Sequence, residues 1–181
     1  MKDNSDSEGE YEMDTMDAIL SRRSIRKYIA EPVPEKLINE LLEAAMSAPS
    51  SDNGQPWHFV VIDDRRILNE VPKFHPYSNM LREASVAIAV CGDLQLERSK
   101  GCWVEDCSAA TENILIAAQA KGLGAVWLGV HRREERVAGI RQLLGLPDHI
   151  LPLCLVSIGY PAGKKPRENR YNPSRIHHNH W

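Results

Sequence analysis

The stretch EDCSAATENILIAAQAKG, at residues 105–122, has the length and spacing of a long helix with apolar side chains on most of its faces. Gly122 suits the left-handed backbone conformation that ends many helices. A helix that is apolar on most faces must be buried on most faces. In a chain of 181 residues, the economical way to cover such a helix is partly against a second copy of itself, which predicts a homodimer.

Four strand patterns flank this helix. HFVVID (58–63) and ASVAIAVCGD (84–93) precede it, and GAVWLGV (124–130) and ILPLCLVSIGY (150–160) follow it. Short apolar runs that are rich in β-branched residues and bounded by turn signals are typical of buried strands. The order of elements is therefore mixed α and β, and the sequence shows neither an internal repeat nor an interdomain linker.

Further helices are predicted between the strands. The first covers Thr15 to Arg22 and is capped by Asp14 or Thr15. Its three apolar side chains are expected to turn inward: Met16, Ile19 and Leu20. The clearest helix is VPEKLINELLEAAMSAP (33–49), which has Pro34 near its first turn and Pro49 as its stop. Its apolar face comprises Leu37, Ile38, Leu41, Leu42 and Ala45.

The remaining segments are shorter or irregular. A helical segment near residues 65–71 leads into the loop PKFHPYSN (72–79), and REERVAGIRQLLG (133–145) is predicted as another helix. The end of the chain, GKKPRENRYNPSRIHHNHW (163–181), is polar and contains prolines. We expect it to run over the surface or onto a partner instead of forming a core element.

Length and charge divide the chain into a tail and one domain. The first 17 residues carry seven acidic side chains against one lysine, whereas the whole chain has a net charge of −3. Residues 1–14 are poor in apolar side chains, which predicts a disordered acidic tail. Residues 15–181 have a length suited to a single domain with one core.

Composition excludes several kinds of protein. No apolar run approaches the roughly 20 residues that cross a bilayer, and the acidic start lacks the regions of a signal peptide. We therefore expect a soluble cytoplasmic protein without a membrane partner. A nearly neutral balance and 6% aromatic residues argue against a nucleic-acid partner, because such proteins normally present a broad basic face.

Cysteine and histidine spacing gives no metal site. The four cysteines lack a CxxC pair, so a zinc ribbon or a thioredoxin-type motif has no support; they are Cys91, Cys102, Cys107 and Cys154. We expect reduced, mostly buried thiols, with Cys102 and Cys107 at the start of the long helix as the better candidates for reactivity. His177, His178 and His180 lack nearby carboxylate or cysteine partners and are expected in an exposed or interface-packed tail.

A cluster of positive charge, RRSIRKY (22–28), directly follows the first helix. The helix dipole favours cations there by roughly 0.3 to 1 kcal/mol each, which explains only one or two of the four. A second cation pair, Lys165 and Arg167, follows the last strand. Because guanidinium groups bind phosphate oxygens bidentately, the two groups of cations indicate a phosphate ligand.

The loop PSSDNGQPW (49–57) adds hydroxyl and amide groups to these cations. It contains Ser50, Ser51, Asn53 and Gln55. Hydroxyls supply further donors, and amides match the donor and acceptor edge of a planar heterocycle. Phosphate together with a heterocycle indicates a nucleotide-like cofactor.

Three separated motifs resemble the flavin-dependent nitroreductase family: RRSIR (22–26), APSSDNGQPWHF (48–59) and GLGAVWLGV (122–130), followed by Lys165-Pro166-Arg167. The resemblance runs in order from about residue 16 to the C-terminus. It implies an α+β, nitroreductase-like fold with a central, mostly antiparallel sheet flanked by helices. It also implies an intertwined homodimer that binds one FMN per subunit in two sites at the dimer interface.

The same resemblance assigns phosphate and flavin contacts from one chain. Arg22 and Ser24 would bind the FMN phosphate and ribityl chain, with Arg23 also among the cofactor-binding residues. Arg26 would approach the pyrimidine side of the flavin near N1 and O2. The phosphate site would be closed by Lys165 and Arg167.

Two further segments complete the implied site. The loop that reaches the flavin from the other subunit would contain Pro49, Ser50, Ser51 and Asn53, with Gln55 supporting it. Trp127, Leu128 and Gly129 would pass along the isoalloxazine, where a backbone N–H near Gly129 could donate to N5.

The implied function is that of an FMN-dependent oxidoreductase with NADH or NADPH as the electron donor. Its substrates would be nitroaromatic, quinone or similar small oxidised molecules. A reduced flavin carries negative charge over N1 and O2, which a fixed cation such as Arg26 would stabilise, and this favours acceptance of a hydride at N5. Successive use of one pocket by donor and substrate predicts ping-pong kinetics, and no catalytic side chain is predicted. The alternative is an FMN-binding carrier or redox sensor without fast turnover.

Several conspicuous residues are assigned ordinary roles. Trp57 is expected to anchor its loop in the core, and Trp127 to pack in a buried strand. His58 and His75 have no nucleophile nearby in sequence and are interpreted as ordinary polar residues. The glycines of GLGAVWLG (122–129) lie between a helix and a strand, the reverse of the order in a dinucleotide-binding loop.

Overall fold

A four-stranded antiparallel sheet lies at the centre of the computed structural model, which describes residues 13–181. The strands are β1 (Trp57–Ile62), β2 (Val86–Asp93), β3 (Gly124–Gly129) and β4 (Ile150–Gly159). Their order across the sheet is β1-β2-β4-β3, so β1 and β3 are the edge strands. The predicted α+β class with a mostly antiparallel sheet is confirmed.

The two central strands explain why the sheet forms. Every residue of β2 is buried, and β4 is buried along nearly all of its length. Such continuous apolar runs require cover on both faces of the sheet. The register pairs Val86 with Ile158, and a bulge lies between Val90 and Cys91.

Within residues 13–181, five α-helices accompany the sheet: α1 (Thr15–Ser21), α2 (Glu35–Met46), α3 (Arg65–Glu70), α4 (Trp103–Ala120) and α5 (Glu134–Leu144). The helices α2 and α4 cover the face that carries Ile88, Val90 and Val156. The opposite face, with Ala89 and Leu155, packs against α3 and α5. Alternation of side chains along β2 and β4 therefore produces two hydrophobic layers.

The long helix α4 is buried mainly by its own chain. Only Glu105 and Glu112 of this helix are exposed. Gly122 follows it with φ +72°, the left-handed conformation predicted for its end. Because one chain already covers most of α4, its apolar composition alone does not require a second copy.

The prediction for the inward face of α1 is wrong. Met16, Ile19 and Leu20 are 56%, 43% and 41% exposed, whereas Ala18 is fully buried. Met16 and Leu20 lie about 200° around the helix from Ala18. A short helix packs closely against α4 through its small side chain, which turns the larger ones outward. Asp14 caps α1, since its Oδ1 accepts from the Met16 N–H at 2.9 Å.

The remaining regions agree broadly with expectation. Short 3-10 turns at Val71–Lys73 and Asn79–Arg82 interrupt the segment predicted as a loop. Residues 162–181 are exposed and contain one 3-10 turn, as predicted for a surface segment. Most of the predicted tail, residues 1–12, lies outside the described residues. No helix within residues 13–181 has the length and hydropathy needed to cross a membrane.

Candidate active site

A cavity of about 370 Å³ opens beside the free edge of β3, and we refer to it as the β3-edge cavity. Residues from β3, α5 and two loops contribute to its wall. They are Arg26, His75, Pro76, Tyr77, Asn79, Met80, Trp127, Leu128, Gly129 and Arg136. The predicted residues Arg26, Trp127, Leu128 and Gly129 are thus brought together.

The outer edge of β3 presents backbone groups toward this cavity. Near the start of the strand, the Ala125 carbonyl accepts from the Ile25 N–H at 3.0 Å. In an antiparallel edge strand, alternate residues direct N–H and C=O to the same side. Trp127 and Gly129 therefore share the outward orientation of Ala125. The expected backbone donor near Gly129 is consistent with this register.

The Gly129 carbonyl is held by two side chains from different elements. His75 Nε2 lies 3.0 Å from this oxygen, and Arg136 Nη1 donates to it at 2.8 Å. Since a carbonyl can only accept, the His75 proton is assigned to Nε2. These two contacts fix the end of β3 at the cavity wall.

His75 is the least expected member of the site. Its side chain is 1% exposed, and Nδ1 has no hydrogen-bond partner among the described residues. Burial lowers the pKa of His75, and the nearby Arg136 lowers it further. The imidazole is therefore neutral at neutral pH and serves as a fixed donor.

Next to Gly129, the cavity lining combines an aromatic ring with a cation. The Arg136 guanidinium carbon lies 5.5 Å from the centre of the Tyr77 ring, within the range of a cation–π contact. Tyr77 is 72% exposed, so most of its ring is available to solvent. Arg26 is also exposed and forms no ion pair with any residue from 13 to 181.

A groove of about 630 Å³ is lined by members of both predicted groups of cations, and we call it the cation groove. Lys165 is not among its lining residues. Its lining includes Arg22, Arg23 and Arg167, together with the α1 side chains Ile19 and Leu20. The RRSIR and KPR segments therefore meet across the fold, as a shared phosphate site requires.

Internal contacts hold the cation groove together. Arg23 Nη2 donates to Glu168 Oε1 at 2.8 Å, and Arg23 Nη1 donates to the Pro166 carbonyl. Arg22 Nε lies 3.4 Å from Glu112 Oε1. Hydrogen bonding from Arg170, with the charge of Arg23, keeps the pKa of Glu168 below its usual range. Glu168 is thus ionised at neutral pH and pairs with Arg23, one of the predicted cofactor-binding residues.

The loop at residues 49–55 lies apart from both features within one chain. It leads into β1, at the opposite edge of the sheet from β3. Its predicted contact residues do not line the β3-edge cavity: Pro49, Ser50, Ser51, Asn53 and Gln55. The loop is well defined, because Asp106 Oδ1 accepts from the Ser51 N–H at 2.8 Å. Positive φ angles at Asp52, Asn53 and Gln55 store backbone strain, which is typical of functional loops.

Comparison with known proteins decides the family. The family model described as Nitroreductase family matches residues 19–74 and 73–160. The chain belongs to the nitroreductase family. A protein of Methanothermobacter thermautotrophicus, provisionally named NADH dehydrogenase/NAD(P)H nitroreductase, is 48% identical over 93% of this chain and 88% of its own length. The predicted family resemblance is confirmed.

Solved structures of nitroreductases share the fold. A Parabacteroides distasonis protein with the same provisional name superposes with a TM-score of 0.89 and 44% identity, covering 92% of this chain and 98% of that one. An FMN-dependent nitroreductase of Clostridium difficile gives a TM-score of 0.85 at 30% identity, covering 92% and 99%. The predicted nitroreductase-like fold is confirmed.

The geometry fits the cofactor that the nitroreductase motifs imply. A Cβ added to Gly129 would meet no atom within 4 Å, so space is open over the sheet face at this cavity-lining residue. Arg26 supplies a cation in the same cavity. Arg22, Arg23 and Arg167 supply several more in the cation groove. A planar ring with a phosphate-bearing side chain needs these two kinds of surface.

Sequence reasoning missed two residues of this nitroreductase site. His75 and Arg136 contact Gly129 from positions 54 and 7 residues away. The loop that carries His75 offered one signal, because a histidine, a proline and a tyrosine follow one another at residues 75–77. Arg136 gave none, since an arginine in a charged helix is ordinarily a solvent-facing residue.

The cysteines do not join the site. Burial raises the pKa of Cys91 and Cys154 to about 12, and raises that of Cys107 above its ordinary range. The expectation of buried, reduced thiols is confirmed for these three, and Cys107 loses its candidacy as a reactive group. Within residues 13–181, no cluster of three potential ligands is arranged to hold a metal ion.

Proposed function

We propose that this chain is an FMN-dependent NAD(P)H oxidoreductase that reduces nitroaromatic, quinone or similar small oxidised molecules. The observation that carries the proposal is the β3-edge cavity, where the open space at Gly129 lies beside outward backbone groups and Arg26. The names of the relatives support NAD(P)H as the donor and FMN as the cofactor.

The cation groove is proposed to hold the FMN phosphate. Arg22, Arg23 and Arg167 line it, and Lys165 Nζ donates to the Ser24 carbonyl at 2.7 Å. The last contact aligns the two cationic segments beside each other. When a phosphate binds Arg23, the ion pair between Arg23 and Glu168 has to break, since a carboxylate and a phosphate compete for the same guanidinium.

Residues along β3 are proposed to orient the flavin ring. The strand edge at Trp127, Leu128 and Gly129 is proposed to pass along the isoalloxazine, with the Gly129 N–H serving as a donor toward N5. Arg26 stabilises negative charge on the pyrimidine side. The chemistry that FMN supplies when bound is two-electron transfer from NAD(P)H to the oxidised substrate. A single pocket that serves both partners in turn predicts ping-pong kinetics.

A homodimer is proposed to complete each site. The segment at residues 49–55 lies at the far edge of the sheet in its own chain, so it would reach the flavin of a second copy. Exposed apolar side chains on α1 support such an association, because Met16, Ile19 and Leu20 form a patch beside the cation groove. Residues 15–181 are proposed to form one FMN-binding domain in each copy, and a cytoplasmic location stays a prediction.

Stopped-flow reduction of the bound flavin tests the function. The protein as purified is mixed with NADH or NADPH without oxygen, and the bleaching of the flavin band is followed. A nitroaromatic or quinone acceptor is then added to the reduced protein. Fast bleaching and fast recovery are expected of a reductase. Flavin that binds but is reduced slowly by both donors would favour the carrier or sensor instead.

A further inference from the structure

The charged side chains that line the β3-edge cavity are all positive within residues 13–181. Arg26 and Arg136 line it, and no aspartate or glutamate from residues 13–181 does so. His75 adds no charge at neutral pH, because burial and Arg136 lower its pKa. A molecule that enters this cavity therefore meets two guanidinium groups and no opposing carboxylate.

Arg136 is the guanidinium that the proposed FMN contacts leave free. Its Nη1 donates to the Gly129 carbonyl at 2.8 Å, and its other N–H groups have no hydrogen-bond partner among the described residues. A guanidinium has five N–H donors in a rigid fork, so one bond leaves most of this fork open. The bond to Gly129 fixes the group in place before any ligand arrives.

Tyr77 provides an aromatic surface at the same position. The Arg136 guanidinium lies 5.5 Å from the centre of its ring, while 72% of the side chain stays exposed. The half-buried guanidinium lies over one face of the ring, which leaves the other ring face and the open N–H groups for a ligand that has an aromatic face and an anionic edge.

We propose that Arg136 and Tyr77 select the oxidised substrate, and that the preferred substrates are aromatic or quinoid molecules bearing a carboxylate or sulfonate group. The proposal rests on the proposed function, since it names the substrate class of that same cavity. Arg136 pairs with the anionic group, and Tyr77 stacks against the ring. Arg26 remains with the cofactor.

Matched acceptors test the preference. The kcat/KM values of 4-nitrobenzoate and of its uncharged methyl ester are compared at saturating NADH or NADPH, in the wild-type protein and in Arg136→Gln. Differences in the reactivity of the two acceptors cancel when their ratio is compared between proteins. The ratio should fall about tenfold or more in the variant, as expected for the loss of a hydrogen bond to a charged group.

Arg133→Gln is the control, because it removes the same charge three residues earlier from a side chain that does not line the cavity. It should leave the ratio unchanged. If the ratio fell equally in Arg136→Gln and Arg133→Gln, the preference would come from long-range charge alone, and the proposal would be overturned. The proposal would also be overturned if Arg136→Gln left the ratio of the two kcat/KM values at its wild-type value. Arg136 would then only hold the Gly129 carbonyl in place.

Binding provides a readout that does not depend on turnover. Calorimetry of benzoate and benzamide with the protein as purified should show tighter binding of benzoate, and Arg136→Gln should remove this difference. Tyr77→Ala, at an exposed position, should weaken the binding of both ligands while keeping the difference in affinity between them. Equal affinity of the two ligands for the wild-type protein would contradict the inference. Failure of the proposed function would appear separately, as no NAD(P)H-dependent reduction of either nitro compound.

Discussion

Lys165 donates from Nζ to the main-chain oxygen of Ser24 at 2.7 Å, although 141 residues separate the two positions in the chain. Arg23 makes a similar long-range contact with the Pro166 carbonyl. The two bonds join the segment after α1 to the segment after β4. Two charge clusters that are distant in sequence thus become neighbours on one surface, which is the basis of the proposed phosphate site.

Arg22→Ala and Arg167→Ala should each weaken FMN binding by about 1.5 to 3 kcal/mol, the range for hydrogen bonds to a charged group. The fold should persist, because the Arg22–Glu112 pair is partly exposed and such pairs contribute little stability. Titration of FMN into apoprotein, followed by flavin fluorescence, measures the change. Lys27→Ala is the control, since Lys27 lines neither the cavity nor the cation groove. An equal loss in the control would show that the cluster is interpreted in the wrong register.

Gly129→Ala should leave the apoprotein as stable as the wild type but weaken FMN binding about tenfold or more, which corresponds to at least roughly 1.4 kcal/mol. The new methyl group meets no protein atom within 4 Å, so only a bound ligand can oppose it. Urea unfolding of the apoprotein and FMN titration give the two quantities. If Gly129→Ala bound FMN with unchanged affinity, the flavin ring would not lie beside Gly129.

The stability of the apoprotein should decrease as the pH falls from 7 toward 5, in part through His75. The folded pKa of this group is lowered by burial below its ordinary value of 6.5. The unfolded state therefore binds more protons in this window, and stability rises with pH. The contribution is fully present above pH 6.5 and is lost as the pH falls toward the folded pKa. Burial also lowers the pKa of His131, which adds to the same slope.

His75→Asn should reduce this pH dependence, as measured by urea unfolding at several pH values. The variant should also be about 1 to 3 kcal/mol less stable at pH 7, because a buried hydrogen bond to Gly129 is disturbed. His178→Asn in the exposed C-terminal segment serves as the control and should change neither quantity. A slope as steep in His75→Asn as in the wild type would contradict the assignment.

Leu20→Glu should convert the proposed dimer to a monomer and lower its FMN content. Leu20 is exposed within one chain, so the charge costs the isolated fold little but must be desolvated in an interface. Light scattering reports the mass, and absorbance reports the bound flavin. Leu94→Glu is the matched control, because Leu94 is equally exposed in the turn after β2. A variant that stays dimeric with full flavin would remove α1 from the interface.

The sequence by itself predicted the main elements because their signals are local. The long helix, predicted over 105–122, occupies Trp103–Ala120, and the strand predicted over 84–93 occupies Val86–Asp93. Apolar periodicity and terminal glycines involve neighbours within a few residues, so they can be interpreted without knowing the rest of the fold. The two cation clusters could be recognised for the same reason, since charge density is visible along the chain.

Only the tertiary structure decided which surfaces these elements present. The strand order β1-β2-β4-β3 places the loop before β1 far from the cavity beside β3, and packing through Ala18 turns the larger apolar side chains of α1 outward. The tertiary structure also brings His75 and Arg136 to one carbonyl, that of Gly129. Such meetings depend on how distant segments pack and not on local preference. For that reason the position of a charged or imidazole side chain in this site could not be inferred from its neighbours in sequence.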